Sequence, residues 1–286
     1  MTFPRCYSVL TATHYLLLTT LLTRPLMLLA TYSLWLREIV RFYRDRSRVV
    51  GALGSPLVFW FLIGSGLGRS FQGGPGQAPL AGGYLQYFYP GTLALILLFT
   101  AIFSTISIIE DRQAGFLQGV LVAPVPRSAI VLGKILGGTT LSSIQGAIFL
   151  ALAPFAHVTL RPADVPALAL VIVLASFGVT GLGFLIAWRL ESTQGFHAIM
   201  NLFLIPMWIL SGALFPASGA AGWIRVLMLV NPLTYGVSAL RVLFSGGNVV
   251  GEPSLALSIG VMIAFAIAIL IVDAMAVRQR KLVVPA

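Results

Sequence analysis

Six long apolar stretches dominate this 286-residue sequence, and none of them contains an aspartate, glutamate, lysine or arginine. Each has the length of a membrane-spanning helix, which needs about 20 predominantly apolar residues. We therefore predict an all-α polytopic membrane protein with six spans. The predicted spans are residues 49–67, 90–109, 135–156, 166–188, 197–215 and 254–272.

The composition excludes two broad classes of protein. Only 9% of the residues are charged, whereas a soluble domain carries about 25%. Such a deficit excludes a soluble globular enzyme and a disordered chain. The single cysteine, Cys6, excludes a disulfide framework and a metal site built from cysteines.

The basic residues predict the orientation in the membrane. The net charge is +10, and placing the N-terminus in the cytoplasm puts 14 of the 18 lysines and arginines on the cytoplasmic side. Because cytoplasmic loops carry an excess of these residues, we predict that both termini are cytoplasmic, in the inner (plasma) membrane. No basic run is interleaved with stacking aromatics, so nucleic acid is not an expected partner.

The chain before the first span divides into two parts. Residues 1–30 are interpreted as an N-terminal extension that is mobile or lies on the membrane surface, with a signal peptide or a weak seventh span as the alternatives. Residues 31–286 are predicted to form one membrane domain. Within it, residues 31–48 are predicted to form an amphipathic interfacial helix, since the arginines follow one helical stripe beside interfacial aromatics. The residues that carry this prediction are Trp35, Arg37, Arg41, Arg44 and Arg48.

The loop at residues 110–134 predicts a short cytoplasmic helix between the second and third spans. Charged residues open it, a short apolar face follows, and prolines stop the helix. Such a helix suits docking of a protein partner, although an ordinary turn between spans explains the pattern equally well. The candidate residues are Glu110, Asp111, Arg112, Gly115, Phe116, Leu117, Pro124, Pro126 and Lys134.

The segment between the fifth and sixth spans predicts one or two short amphipathic helices at the outer face. Asn231 and Pro232 fit an N-cap and a first helical position, and Gly246 ends the pattern. These helices are too short to cross the bilayer. They either dip into it and cap an exit path or lie at its surface as loop helices.

Several kinds of chemistry are absent from the sequence pattern. Apart from His197 at the edge of the fifth, the predicted spans lack the ionisable residues that ion-coupled transporters use. The three histidines fall in separate segments, and the glycine-rich stretch at residues 64–68 lacks the lysine and hydroxyl residue of a phosphate loop. We predict no catalytic site, nucleotide site or metal site, so energy for uphill transport has to come from a partner.

These segments together resemble the permeases of ABC type-2 transporters. The loop resembles the family's cytoplasmic motif through Glu110, Gly115, the apolar run at 116–122, Pro124-Val125-Pro126 and Gly133-Lys134. Three further pieces agree in order and depth: Phe88-Tyr89-Pro90-Gly91, the run at 211–216, and Asn231-Pro232-Leu233-Thr234-Tyr235. The similarity is greatest to the branch of daunorubicin-resistance and nodulation lipo-oligosaccharide export permeases.

The resemblance implies a permease that dimerises, with itself or with a similar permease, and binds separate cytoplasmic ATPase subunits. ATP and Mg²⁺ would bind those subunits, and this chain would bind no cofactor. The short helix after Glu110 would be the coupling helix, and residues 31–48 would be the interfacial connecting helix. Gln113 and Gln118 stand where many members carry charges. The outer gate would comprise Asn231, Pro232, Tyr235 and Arg241.

The main hypothesis is therefore the membrane subunit of an ATP-driven exporter of a drug, lipid or glycan, without enzymatic activity of its own. Two alternatives are a membrane-embedded enzyme acting on lipid and a proton-coupled transporter. The enzyme would need acids to converge at one face, where Glu110, Asp111, Glu191 and Asp273 are the available residues. As a guess, the translocation path is assigned to Thr100, Ser104, Gln145 and Asn201.

Overall fold

The computed structural model describes residues 26–66, 83–247 and 249–279, and these residues form a bundle of α-helices without β-strands. The predicted all-α class is confirmed. In chain order the helices are α1 (residues 26–44), α2 (Arg46–Gly66), α3 (Gly83–Gln113), α4 (Phe116–Val122), α5 (Arg127–Leu150), α6 (Val165–Arg189), α7 (Thr193–Trp208), α8 (Gly222–Val230), α9 (Pro232–Ser245) and α10 (Leu255–Gln279).

Within the described ranges, five helices are long and apolar enough to cross a membrane: α2, α3, α6, α10, and α7 with its continuation to Ala213. Each coincides with a predicted span. The predicted third span, residues 135–156, corresponds to α5, whose 24 residues extend about 36 Å. Its glycines, serines and threonines lower its hydropathy, but it packs between α3 and α6 as a member of the bundle.

Helix α3 forms the centre of the bundle and packs against α2, α5 and α6. It is apolar on nearly all sides, as expected of a helix surrounded by other helices. Near its start, the ring of Tyr89 stacks on Phe149 of α5 at 4.6 Å between ring centres. Gly91 permits close approach to the end of the fifth span, because a Cβ at this position would lie 2.6 Å from the Cβ of Ala213.

Hydrogen bonds between segments show which parts of the chain lie together at each end of the bundle. At one end, Arg112 in the last turn of α3 donates to the backbone carbonyl of Leu190 after α6, at 2.5 Å. At the other, Gln86 near the start of α3 donates to the carbonyl of His157 at 3.2 Å. We call the first, which carries the α1–α2 junction and α4, the coupling end, and the second, which carries α8 and α9, the outer end. The helices alternate between these ends as the predicted spans require.

The predicted interfacial helix at residues 31–48 is wrong in its boundaries. The helix α1 is described from residue 26 and ends at residue 44, and the remaining residues of the predicted extension, 1–25, lie outside the described residues. Asp45 interrupts the helix and caps α2, since its carboxylate accepts hydrogen bonds from Ser47 Oγ at 2.5 Å and from the backbone N–H of Arg48. The hydrogen bond from Ser47 holds the pKa of Asp45 below its ordinary value. Arg48 therefore belongs to α2.

Two helices extend beyond the predicted spans into the flanking charged residues. The second span was expected to stop before Glu110, but α3 continues to Gln113, and α5 begins at Arg127, well before residue 135. Glu110, Asp111 and Lys134 therefore lie inside helices. Charged residues remain helical here because they are paired with charges of the opposite sign, as described below.

Candidate functional site

Helix α1 lies directly against the start of α5 at the coupling end. Two glycines of α5 allow this approach: a Cβ on Gly133 would lie 2.7 Å from the Cβ of Leu34, and one on Gly137 would lie 2.7 Å from the Cβ of Glu38. These distances are shorter than side chains tolerate, so the contact requires glycine at both positions. The close crossing brings Glu38 into the helix bundle, where only 4% of the residue is exposed.

A buried ion cluster forms where α1, α3 and α5 meet. The ammonium of Lys134 contacts Glu38 Oε1 at 2.5 Å and also pairs with Asp111. The second oxygen of Glu38 accepts a hydrogen bond from Ser107 Oγ at 2.5 Å. The side chains of Lys134 and Asp111 are only 3% and 1% exposed. Each buried charge therefore has an opposite charge beside it, which offsets its desolvation.

Arginines of α1 and α2 extend this cluster towards the surface. Arg37 binds Asp111 through two hydrogen bonds of 2.6 and 2.8 Å. Arg41 bridges Asp111 and Glu110 at 2.5 and 2.6 Å, and Arg48 also pairs with Glu110. The hydrogen bond to Asp111 raises the pKa of the Arg37 guanidinium above its ordinary value. We call these seven residues the charge network: Arg37, Glu38, Arg41, Arg48, Glu110, Asp111 and Lys134.

The short helix α4 is attached to the charge network by one side of its surface. Gly115 precedes α4 with a φ of 75°, a left-handed conformation that favours glycine and turns the chain sharply after α3. The ring of Phe116 lies 3.8 Å from the guanidinium carbon of Arg37, and Leu117 is buried. Gln118 and Val122 face outwards instead, with Val122 76% exposed. The short helix and its end before Pro124 were predicted from sequence.

The segments that flank α4 contact the ends of α6 and α10. Arg112 donates to the carbonyls of Trp188 and Leu190 at 2.8 and 2.5 Å. Arg127, which follows Pro126, donates to the carbonyls of Val277 and Arg278 at 3.2 and 3.1 Å. Helix α4 is thus connected to most of the helices that reach the coupling end.

The predicted docking residues differ in their exposure. Asp111, Leu117 and Lys134 are buried, so they offer no surface to a partner in this conformation. Of the predicted docking residues only Pro124 is exposed, and the exposed side chains of α4 include Gln118 and Val122, which were not predicted as docking residues. Sequence reasoning missed Glu38. Glu38 could have been found in the sequence as the acidic residue that stands among the arginines of α1.

The predicted interfacial arginines also separate. Arg37, Arg41 and Arg48 point to carboxylates of α3, and only Arg44 of the four is exposed without an ion pair in the described parts of the chain. Trp35 donates from Nε1 to Thr140 Oγ1 of α5 at 3.0 Å, so this ring contacts protein on one side. The stripe expected to face lipid headgroups is thus mainly a stripe of contacts between helices.

At the outer end, Arg241 and its neighbours form a second cluster around a distorted helical turn. Beyond Trp208 the fifth span continues as a π-helical turn in which Gly212 has a φ of 81°. Arg241 of α9 donates to the carbonyl of Gly212 at 2.8 Å, pairs with Glu252, and lies 4.4 Å from the ring of Tyr87. Arg241 therefore links α9, the approach to α10, the π turn and α3.

Helices α8 and α9 meet at an angle of 88°. Asn231 forms the corner: its Oδ1 accepts from the N–H of Leu233 at 3.0 Å, and its Nδ2 donates to the carbonyl of Met207 at 2.6 Å. Pro232 occupies the first turn of α9, and the hydroxyl of Tyr235 donates to the carbonyl of Leu229 at 2.8 Å. The two short helices, the N-cap and the end at Gly246 are as predicted.

The residues assigned to a translocation path do not form one in the single chain. Thr100 Oγ1 donates to Gln145 Oε1 at 2.9 Å between α3 and α5, and Ser104 bonds to the carbonyl of Ala101. All three polar side chains are buried in helix contacts. Asn201 is exposed on α7, away from them in the chain. A path through Thr100, Ser104 and Gln145 would require these helices to separate.

Two of the acidic residues that an enzyme would need, Glu110 and Asp111, are bound by arginines. Asp273 is buried in α10 against Gly181 of α6, where its carboxylate has no hydrogen-bond partner in the part of the chain that the structure describes. Among the described residues, no group of three or more His, Cys, Asp or Glu side chains is placed to hold a metal ion.

Comparison with known proteins identifies the family. The sequence profile of the ABC-2 type transporter family matches residues 29–245. The chain belongs to the ABC-2 type transporter family. Nodulation protein J of Rhizobium meliloti (strain 1021) is 24% identical, with 87% of this chain and 92% of the relative aligned. The inner membrane transport permease YadH of Escherichia coli (strain K12) is also 24% identical, over 84% and 91%.

A transport permease of Cyanophora paradoxa, ycf38, is 28% identical over 73% of this chain and 72% of its own length. The family and the apolar helices establish a multi-pass membrane permease of an ABC transporter. The resemblance read from the sequence motifs is confirmed, including the similarity to nodulation permeases. The matched region includes the charge network, α4 and Arg241, and ends before Glu252.

Proposed function

We propose that this permease is the membrane subunit of an ATP-driven exporter. A separate cytoplasmic ATPase subunit would bind ATP and Mg²⁺, and the permease itself would bind no cofactor. Two permease chains, identical or similar, would enclose the path of a drug, lipid or glycan. The permease would lie in the inner (plasma) membrane with both termini and α4 in the cytoplasm.

The observation that carries this proposal is the arrangement of α4. One side of the helix is fixed to the bundle through Phe116 and Leu117, and the other side exposes Gln118 and Val122. A helix with this arrangement is suited to receive a push from a docked partner and pass it to the spans. It would act as the coupling helix, with the exposed side as its docking surface.

The charge network supplies a physical route for that push. Arg37 touches both Phe116 and Asp111, so displacement of α4 acts on α1 and α3 together. Lys134 connects the same carboxylate to α5. In this mechanism the network transmits movement as a unit, and the buried members of the predicted docking motif are transmission residues. ATP-driven closure of the ATPase dimer would rock the spans from an inward-open to an outward-open arrangement.

The outer cluster supplies an opposing contact. Arg241 joins four segments at the outer end, so opening a path there requires at least part of its contacts to break. Asn231 and Tyr235 hold the corner between α8 and α9, which would move as the gate. Coupling would then consist of a push at α4 and release at Arg241.

A charge placed on the exposed side of α4 tests the proposal. Val122→Glu puts a carboxylate into the proposed apolar docking contact, while the position is 76% exposed and tolerates a polar side chain in the free permease. We expect substrate-stimulated ATPase activity of the reconstituted complex to fall by at least tenfold. The matched control is Val250→Glu, at a position that is 92% exposed near the outer end.

Three measurements make the result interpretable. Thermal unfolding of the permease alone should be unchanged in both variants, and the ATPase should co-purify less with Val122→Glu than with Val250→Glu. Full stimulation in the Val122→Glu complex would contradict the assignment of α4 as the coupling helix. Transport by the purified permease without an ATPase would contradict the proposed function as a whole.

A further inference from the structure

The corner between α1 and α2 carries an open cleft at the coupling end. Its charged lining consists of Arg41, Arg44, Asp45, Arg46, Arg48 and Glu110. Four positive and two negative side chains leave the cleft with a net charge of +2. A cleft of this charge favours an anionic ligand.

Internal ion pairs account for only some of these charges. Glu110 is held by Arg41 and Arg48, and Arg48 also binds Asp45 at 2.9 Å. Within residues 26–66, 83–247 and 249–279, Arg44 and Arg46 are exposed and bond to no other group. The excess positive charge of the cleft is therefore concentrated on two accessible guanidinium groups that the charge network does not use.

The position of the cleft indicates which anion it would meet. Arg46 is the first residue of α2, a helix able to cross the membrane, and Val50 one turn later is an exposed apolar side chain. The cleft is thus at the boundary between apolar and polar surroundings, where the phosphate groups of a bilayer lie. Helix α1 continues the apolar surface up to the cleft with exposed side chains at Tyr32, Leu36, Val40 and Tyr43.

We propose that this corner cleft binds the phosphate headgroup of an anionic phospholipid. Arg44 and Arg46 would donate to the phosphate oxygens, since guanidinium groups bind phosphate with paired hydrogen bonds. The acyl chains would lie along Val50 and Tyr43. An acidic protein surface would satisfy the arginines but not the adjoining apolar surface, which is why a lipid fits both observations.

Lipid-dependent stability of the purified full chain tests the proposal. The thermal unfolding temperature is measured in detergent micelles with added phosphatidylglycerol and, separately, with the same amount of phosphatidylcholine. We expect phosphatidylglycerol to raise the unfolding temperature more, and Arg44→Gln with Arg46→Gln to remove most of that difference. Native mass spectrometry of the same samples should show fewer retained phosphatidylglycerol molecules on the double variant.

A second double variant separates a site from general surface charge. Arg189→Gln with Arg278→Gln removes the same charge from two exposed arginines outside the corner cleft, and we expect it to keep the phosphatidylglycerol effect. Native mass spectrometry reports lipid retention even if a variant itself unfolds at a lower temperature.

Three results would overturn the proposal. They are the absence of a phosphatidylglycerol preference in the wild-type chain, equal retention by the Arg44/Arg46 variant, and equal loss in the control variant. If the Arg44/Arg46 variant retains the lipid but loses the ATPase on co-purification, the cleft is a protein-docking surface and the lipid assignment is wrong.

Discussion

At the scale of single residues, the same charge has different roles in different surroundings. Lys134 is buried and holds two carboxylates that belong to different helices, whereas Arg44 is exposed and holds none in the described chain. Removing one member of a buried ion pair leaves its partner charged without compensation, which costs far more than losing a surface pair. The structure therefore predicts a large effect at Lys134.

Replacement of Lys134 by methionine should destabilise the permease strongly. Methionine keeps much of the volume but leaves Glu38 and Asp111 facing each other at the centre of the charge network. We expect a loss of about 3–5 kcal/mol in the free energy of unfolding, which is the usual cost of breaking a buried ion pair. Thermal or denaturant unfolding of the purified protein in detergent measures this loss.

A double-mutant cycle separates the loss of charge from the loss of packing. Adding Glu38→Gln to Lys134→Met removes the carboxylate that has lost its shortest ion pair and keeps only the longer one with Arg37, so part of the lost stability should return. Two results would show that the buried pair does not hold α1 to α5. One is a Lys134→Met variant as stable as wild type, and the other is a double variant whose loss of stability equals the sum of the two single losses.

The residue types at this site were visible in the sequence, but their pairing was not. Glu110, Asp111 and Lys134 were predicted as a docking motif because they flank an apolar helix. Their burial depends on Glu38 and the arginines of α1, which lie 69 or more residues away in the chain from the side chains of this motif that they bind. Sequence spacing within one helix does not determine such contacts, because they depend on how two helices cross.

At the scale of helices, hydropathy predicted where the membrane-spanning helices lie. A span has to be long and apolar, so the positions of α2, α3, α6, α7 and α10 followed directly from the sequence. The helices α3 and α5 extend past the predicted spans because ion pairs keep the flanking charged residues helical. The break at Asp45 was missed because the arginine stripe continues across it in sequence.

The crossing of α1 over α5 gives a prediction at this scale. Gly137→Leu places a side chain where even a Cβ would be 2.7 Å from Glu38, so α1 has to move away from α5. We expect a lower unfolding temperature, with a cost of about 1–3 kcal/mol from overpacking. Gly260→Leu in α10 is the matched control, because a Cβ there meets nothing within 4 Å. Equal stability of the two variants would contradict a tight crossing.

At the scale of the whole molecule, the two ends differ in how many charged side chains they hold and how these are paired. The coupling end holds the charge network of seven residues, and the outer end holds the Arg241–Glu252 pair beside the π-helical turn at Gly212. Between them, Thr100 bonds to Gln145, and Ser142 bonds to the backbone of α3. Each end is thus held by its own polar contacts, and long apolar helices separate the two. This arrangement suits a permease whose ends open in alternation.

The orientation of this arrangement in the membrane gives the last prediction. Because the predicted topology places 14 of 18 basic residues on one side, the coupling end should face the cytoplasm. Cys6 is the only cysteine, so Cys6→Ser permits single-cysteine variants at Val122 in α4 and at Val250 near the outer end. With the permease expressed alone in intact cells, a membrane-impermeant maleimide should label Val250→Cys at once and Val122→Cys only after permeabilisation. Both positions should react in detergent, since both side chains are exposed. The opposite labelling order would reverse the topology and place α4 beyond the reach of a cytoplasmic ATPase.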